Sequence, residues 1–198
     1  MKRIAMLLLV LPACCAGCAS RLVTNTPRSA IEQMLLSRAV DMALEKFEMP
    51  EVANRKVFVD VANLKAYDAE YIRLAVRVRM AQLGAVVVDA AAGADLVAEV
   101  ACGALGTEFK SAMIGLPPLP VPNSPVPLPE SPLYRSTERT GIVKLLIFLH
   151  EKGKFVASAH YYAKADRDET FLLWWRSQKK DDVREGWERA DAKLKAAP

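Results

Sequence analysis

Residues 56–90 read KVFVDVANLKAYDAEYIRLAVRVRMAQLGAVVVDA, and two changes of hydrophobic period within them decide the fold class. Val57, Val59 and Val61 alternate with Phe58 and Asp60, the period of two that marks a strand. After Asp68, placed to cap a helix, Ile72, Val76, Met80 and Leu83 recur along one helical stripe. Arg73 and Arg77 lie along another, and Gly84 stops the helix at the position after its C-cap. Ala85 to Asp89 is then a short apolar strand. A strand, a helix and a strand in so short a span make a βαβ unit, whose two strands are parallel.

Outward from this unit the same reading predicts one α/β (α+β) domain with a mixed sheet of five or six strands and two main helices. Upstream, Thr26 is placed to cap and Pro27 suits a first helical position. Ile31, Leu35, Ala39 and Met42, widened by Leu36, Val40, Ala43 and Phe47, predict a helix from Pro27 to Phe47. Downstream, Asp95–Cys102 reads as a third strand and Thr140–His150 as a fourth. The fourth has few polar breaks, as a central buried strand should. Lys152-Gly153 is a tight turn into a fifth strand, Phe155–Tyr162, giving an antiparallel hairpin. Thr170–Trp175 reads as a short sixth strand, with one ring of Trp174-Trp175 expected in the core and the other covering an edge or touching the membrane interface. Lys179–Lys195 reads as a frayed, mixed-charge surface helix. The expected domain is residues 26–178, followed by a charged tail over 179–198.

Between strands three and four, residues 116–133 read LPPLPVPNSPVPLPESPL. Proline lacks a backbone donor, so this is neither helix nor interior strand but an extended, polyproline-like loop. From Ser111 to Tyr134 the one charged side chain is Glu130, an unusual composition for a solvated linker. Three readings stand side by side. It is a rigid connector crossing the domain, a preformed recognition loop for a partner, or a loop that dips into a bilayer. As a recognition loop its contact residues are Pro117, Pro118, Leu119, Pro120, Pro122, Pro125, Pro127, Leu128 and Pro129.

The first twenty residues, MKRIAMLLLVLPACCAGCAS, place Lys2 and Arg3 before an apolar run and then small residues, the layout of a secretory signal peptide. Three of the four cysteines, Cys14, Cys15 and Cys18, crowd here. A zinc site needs four converging ligands, and the two histidines, His150 and His160, are distant in sequence. Cys15-Ala-Gly-Cys18 resembles a bacterial lipobox, with Cys15 where Leu is usual. That resemblance implies cleavage of residues 1–17, lipidation of Cys18, and a tether over 18–25. Removing Lys2 and Arg3 from 27 basic side chains leaves 25 against 23 acidic ones. So near-neutral a chain carries no electrostatic footprint for nucleic acid. Cys102 would be the sole remaining thiol besides the acylated Cys18, so no intramolecular disulfide is expected.

Motifs for catalysis are weak. Gly103-Ala-Leu-Gly106 is not followed by the Lys-Ser/Thr of a phosphate loop, and no G-x-S-x-G or H-E-x-x-H occurs. With Lys152-Gly153 as a two-residue loop, His150 pairs with Phe155 and His160 with Leu145. That holds the imidazoles about 17 Å apart along the ladder. Cys102 reads as a small buried hydrophobe. No catalytic residue, metal ligand or cofactor is expected.

The order of lipobox, helix, V-F-V-D-V-A-N-L strand, helix, A-D-L-V-A-E-V strand and late hairpin resembles uncharacterised bacterial lipoproteins. More distantly it is similar to the curli secretion channel lipoprotein and to lipoprotein activators of peptidoglycan synthases. The resemblance implies a non-enzymatic scaffold with binding or assembly roles. It does not extend to a pore, because no long membrane-spanning hairpin is legible. The expected protein is therefore an envelope lipoprotein held by Cys18, on the outer membrane facing the periplasm since Ala19 rather than Asp follows the cysteine. It would act as a binding or adaptor protein for an envelope partner, or alternatively as an oligomeric component of an assembly or secretion apparatus.

Overall fold

The computed structural model describes residues 20–24, 29–66, 68–120, 122 and 128–196, with backbone alone for 20–24, 190 and 193–196. The elements in chain order are β1 (Ser20–Thr24), α1 (Ala30–Glu45), a 3-10 turn (Pro50–Val52), β2 (Lys56–Asp60) and α2 (Ala69–Gln82). There follow β3 (Val86–Val88), β4 (Leu96–Leu116), β5 (Ser131–Glu151), β6 (Lys154–Leu172), β7 (Trp175–Asp181) and α3 (Asp182–Ala196). The strands form one mixed sheet in the order β3-β2-β4-β5-β6-β7, with β1 added antiparallel to β4. This is the α/β class that the βαβ stretch predicts.

The βαβ unit is present as read: β2 is parallel to β3 on one side and to β4 on the other. α1 packs across β5 and β6, and α2 packs beside α1 over β2 and β3. The core lies between this helical layer and one face of the sheet. Val57, Leu96, Ala98, Leu145 and Ile147 are sealed against Leu35, Val40, Ile72 and Met80. Phe47, at the end of α1, meets Tyr161 of β6 with ring centroids 5.1 Å apart. β5 is central, between β4 and β6, as its apolar run predicts, but one face alone is sealed: Val143, Leu145, Ile147 and Leu149 are buried while Lys144 between them is exposed.

α1 begins later than the Thr26-Pro27 pair suggests, and those two residues lie outside the described ones. Ser29 is the cap. Its hydroxyl accepts from the Glu32 N–H and the Glu32 carboxylate accepts from the Ser29 N–H, a reciprocal capping box. Asp68 occupies the cap position of α2 without a side-chain capping bond.

The largest departure is strand length. β4, β5 and β6 contain 21, 21 and 19 residues, where the sequence suggests about eight to eleven. Their distal halves run past the helices as a single-layer blade. With no layer on either side, both faces are wet, so charged residues fall on both and hide the alternation. Long hairpins are therefore present where none was legible. The outer strand is also displaced: Thr170–Leu172 ends β6, Leu173-Trp174 turns, and Trp175 opens β7. Neither tryptophan enters the core; they are 84% and 70% exposed.

The expected boundary at 178/179 falls inside β7, and α3 packs on β6 and α1 rather than fraying in solvent. Val183 is buried there, and a Cβ on Gly186 would stand 2.9 Å from the Arg38 side chain. Residues 20–24, read as tether, supply β1.

Candidate binding surface at the hairpin tips

The proline segment does not cross the domain. It closes a hairpin between β4 and β5, which are antiparallel neighbours in register from Val97↔His150 to Leu116↔Ser131. Gly115 makes this tip. Its φ is +154°, and a Cβ there would stand 2.8 Å from Pro132 Cα, so a side chain is excluded where the ladder shifts register. Beyond the ladder, the Leu128 N–H donates to the Leu119 carbonyl at 2.8 Å. Pro117, Pro118, Leu119, Pro120, Pro122, Leu128 and Pro129 are exposed. Pro125 and Pro127 lie outside the described residues, as does Cys18.

A second tip lies beside the first. The turn between β6 and β7 carries Leu172, Leu173, Trp174 and Trp175, an apolar run. The Leu173 N–H donates to the Leu133 carbonyl at 2.7 Å, so the two tips are joined side by side. Ile114 pairs with Tyr134, and Tyr134 with Leu172, continuing one apolar row across three strands. Among the described residues, nine of the sixteen large apolar side chains that stand exposed belong to this end of the blade. The reading of the proline segment alone missed half of this surface. The unbroken Phe171-Leu-Leu-Trp-Trp175 run is the signal that marks it.

Just behind the tips, one face of the blade is basic. Arg135, Phe171 and Arg176 sit in register across β5, β6 and β7. With Pro132, Thr137 and Arg139 they line a groove of about 470 Å³. Arg135 pairs with Glu130, and Arg176 with Glu169 at 2.7 Å. Arg139 lies over the Phe109 ring, 5.4 Å from its centroid. Partial burial works against the Glu169 carboxylate, but Arg176 and Arg167 outweigh it and hold its pKa below the usual range. Next to α3, burial likewise opposes Asp166, and its bonds to Lys180 and Thr140 prevail and lower it.

The other sequence candidates lie apart. His150 pairs with Phe155, as the two-residue turn requires, but a register shift at Leu149/His150 places His160 opposite Leu146 rather than Leu145. The two histidines are still well separated along the ladder. His150 Nδ1 accepts from the Gly153 N–H at 3.2 Å, and Nε2 meets Glu99 at 3.1 Å. The ring thus ties the turn to the sheet. Cys102 is half-buried at the β4 bulge, and burial pushes its thiol pKa up, which disfavours the thiolate. Among the described residues no group of three or more His, Cys, Asp or Glu side chains converges as metal ligands would. No helix among them is long and apolar enough to cross a membrane, a statement that does not extend to strands.

A family model matches residues 14–132, more than half of the chain. The chain belongs to a family of unknown function (DUF6655). The matched region runs from the cysteine cluster through β1 to β4 and the proline segment, ending as β5 begins. No curated protein matches the chain, and no solved structure does.

Proposed function

We propose that this DUF6655 protein is an envelope lipoprotein, anchored through Cys18 on the outer membrane and facing the periplasm, with a binding or adaptor role rather than a catalytic one. The observation that carries the reading is the pairing of the two hairpin tips. They gather exposed apolar side chains at one end of a blade that has no core of its own to bury them. So large an exposed apolar patch marks an interaction site. The proline segment supplies a preformed part of that surface, and an extended proline-rich chain loses little entropy on docking.

The test is in-cell crosslinking and affinity purification of the wild-type chain and of a chain with residues 117–132 replaced by a Gly/Ser linker. A binding role of the tip predicts loss of crosslinked material in the variant. Identical products from both chains would refute a protein partner at the tip. Cys18→Ser should move the protein out of the membrane fraction; unchanged fractionation would refute the anchor.

A second reading, self-assembly, is favoured by a row on α2. Tyr71, Leu74 and Val78 stand exposed along one face of that helix, beside a groove of about 410 Å³ shared with Asp41 and Glu45 of α1. Leu74→Glu should dissociate any such oligomer in sedimentation velocity, while a strict monomer at high concentration would remove the reading.

A further inference from the structure

We propose that the occupant of the paired tips is the lipid bilayer itself, so that the blade is a second, peripheral membrane contact acting with the anchor. This rests on the reading of the tips as the binding end, and goes on to name what they bind.

The direction of β1 is the first argument. β1 runs antiparallel to β4, with Thr24 opposite Thr107 and Ser20 opposite Ser111. Ser20 is therefore the residue of β1 nearest the tips. Cys18 is two residues further, which covalent length alone keeps within about 7 Å of Ser20. Ser111 in turn is five residues, about 17 Å, from the end of β4 at Leu116. An acyl anchor on Cys18 and the apolar tips thus belong to the same end of the molecule.

The chemistry of the tips is the second. Trp174 is 84% exposed in a turn, a costly place for an indole in water. An apolar ring with one N–H donor suits the boundary between headgroups and acyl chains. Leu173 and Leu133 flank it. One backbone pair is satisfied between the tips, Leu173 N–H to the Leu133 carbonyl, and the prolines have no N–H to leave unpaired, while their carbonyls require the hydrated headgroup level rather than the hydrocarbon. No charged side chain occurs from Thr170 to Trp175.

The third argument sets the depth. Arg135 is two residues behind Leu133, about 7 Å along the strand. Arg176 follows Trp175 at the same level. Apolar faces of interfacial segments sink roughly 5–10 Å, which puts these guanidinium groups, together with the Glu130 and Glu169 carboxylates they pair with, at the level of the phosphates. Further back, Lys110 and Glu138 lie on the opposite face of the blade, where a spanning hairpin would be apolar. The contact is shallow and does not cross the bilayer.

The test uses the full lipidated chain on vesicles of phosphatidylethanolamine and phosphatidylglycerol, with and without brominated acyl chains. Trp187→Phe leaves Trp174 and Trp175 as reporters of the tip. The double variant Trp174→Phe/Trp175→Phe leaves Trp187, exposed on α3, as reporter of the body. Insertion predicts blue-shifted tip emission, quenched roughly twofold or more by brominated lipid, with Trp187 unquenched. An anchored protein whose tip emission is unquenched overturns the proposal. So does a blue shift that appears without vesicles and grows with protein concentration, which would make the occupant a second copy. Equal quenching of Trp187 would overturn it too, by laying the body on the membrane. Failure to float with the vesicles would overturn both contacts. The crosslinking experiment separates the two failures: an unquenched tip whose linker variant still loses its crosslinks leaves the binding role standing with a protein partner.

Discussion

The carbonyl oxygen of Leu35 lies directly over Gly141. A methyl group on residue 141 would stand 2.6 Å from that oxygen and 2.7 Å from its carbon. α1 therefore touches β5 backbone to backbone, at the point where the covered sheet gives way to the open blade. Because both clashing atoms are main-chain, no rotamer change relieves the contact. Gly141→Ala should destabilise the fold by about 1–3 kcal/mol, the usual range for overpacking. A lower urea midpoint at unchanged m-value is the expected signature. Wild-type stability in Gly141→Ala would show that α1 is free to ride up.

Arg38 tests a different kind of buried contact. Its Nη1 reaches Glu45 at 3.1 Å, but its Nε is buried with no partner among the described residues. Glu45 is itself exposed, so the pair contributes little, while the orphan donor carries a desolvation penalty. Arg38→Met keeps the stem and removes the donor. It should be neutral or stabilising by up to about 1 kcal/mol in thermal denaturation. A loss above about 2 kcal/mol would mean the guanidinium is satisfied in solution.

Asp166 carries a pH dependence. It accepts from Lys180 Nζ at 2.7 Å, while its own N–H donates to Asp182. Its folded pKa is lowered from 3.8, so the stability it contributes is present above that value and is lost as pH falls through the folded pKa. Lys180 is half-exposed, which keeps the effect below about 1 kcal/mol. Asp166→Asn should be the less stable protein at pH 7, and the difference should close as pH falls below the carboxylate range. A difference that persists in strong acid would rule out ionisation as its source.

The blade and the body should respond unequally to truncation. Trp174→Ser and Trp175→Ser remove exposed rings and should change stability by no more than about 0.5 kcal/mol. Phe47→Ala removes a fully buried ring packed on Tyr161 and should cost about 3–5 kcal/mol. Chemical denaturation of the three variants checks both halves. A large loss from either tryptophan would mean that the tips hold the fold together.

Legibility in the sequence follows burial. The βαβ unit reads correctly from residues 56–90 because each element buries one face, and burial imposes a period. The same holds for β5 between Gly141 and Leu149. At α1 the cap was legible but misplaced: Ser29-Ala-Ile-Glu32 is a capping box, and Thr26-Pro27 merely resembles a start. The distal arms of β4, β5 and β6 were not legible, because a single-layer sheet has no dry face to write a pattern. Of the binding surface, the proline segment announced itself as a loop. Its union with the β6–β7 turn rests on the Leu173–Leu133 hydrogen bond, which joins residues far apart in sequence.

By itself, then, the sequence determined the fold class, the parallel unit, the Lys152-Gly153 hairpin and an apolar, proline-broken segment. Each of these follows from local propensity and from the period that a buried face requires. The tertiary structure decided how far the strands run, that two tips share one end of the molecule, and that residues 20–24 join the sheet beside β4 with Ser20 nearer that end. Those outcomes are set by backbone pairing between distant strands, and backbone hydrogen bonds are nearly indifferent to which side chains flank them.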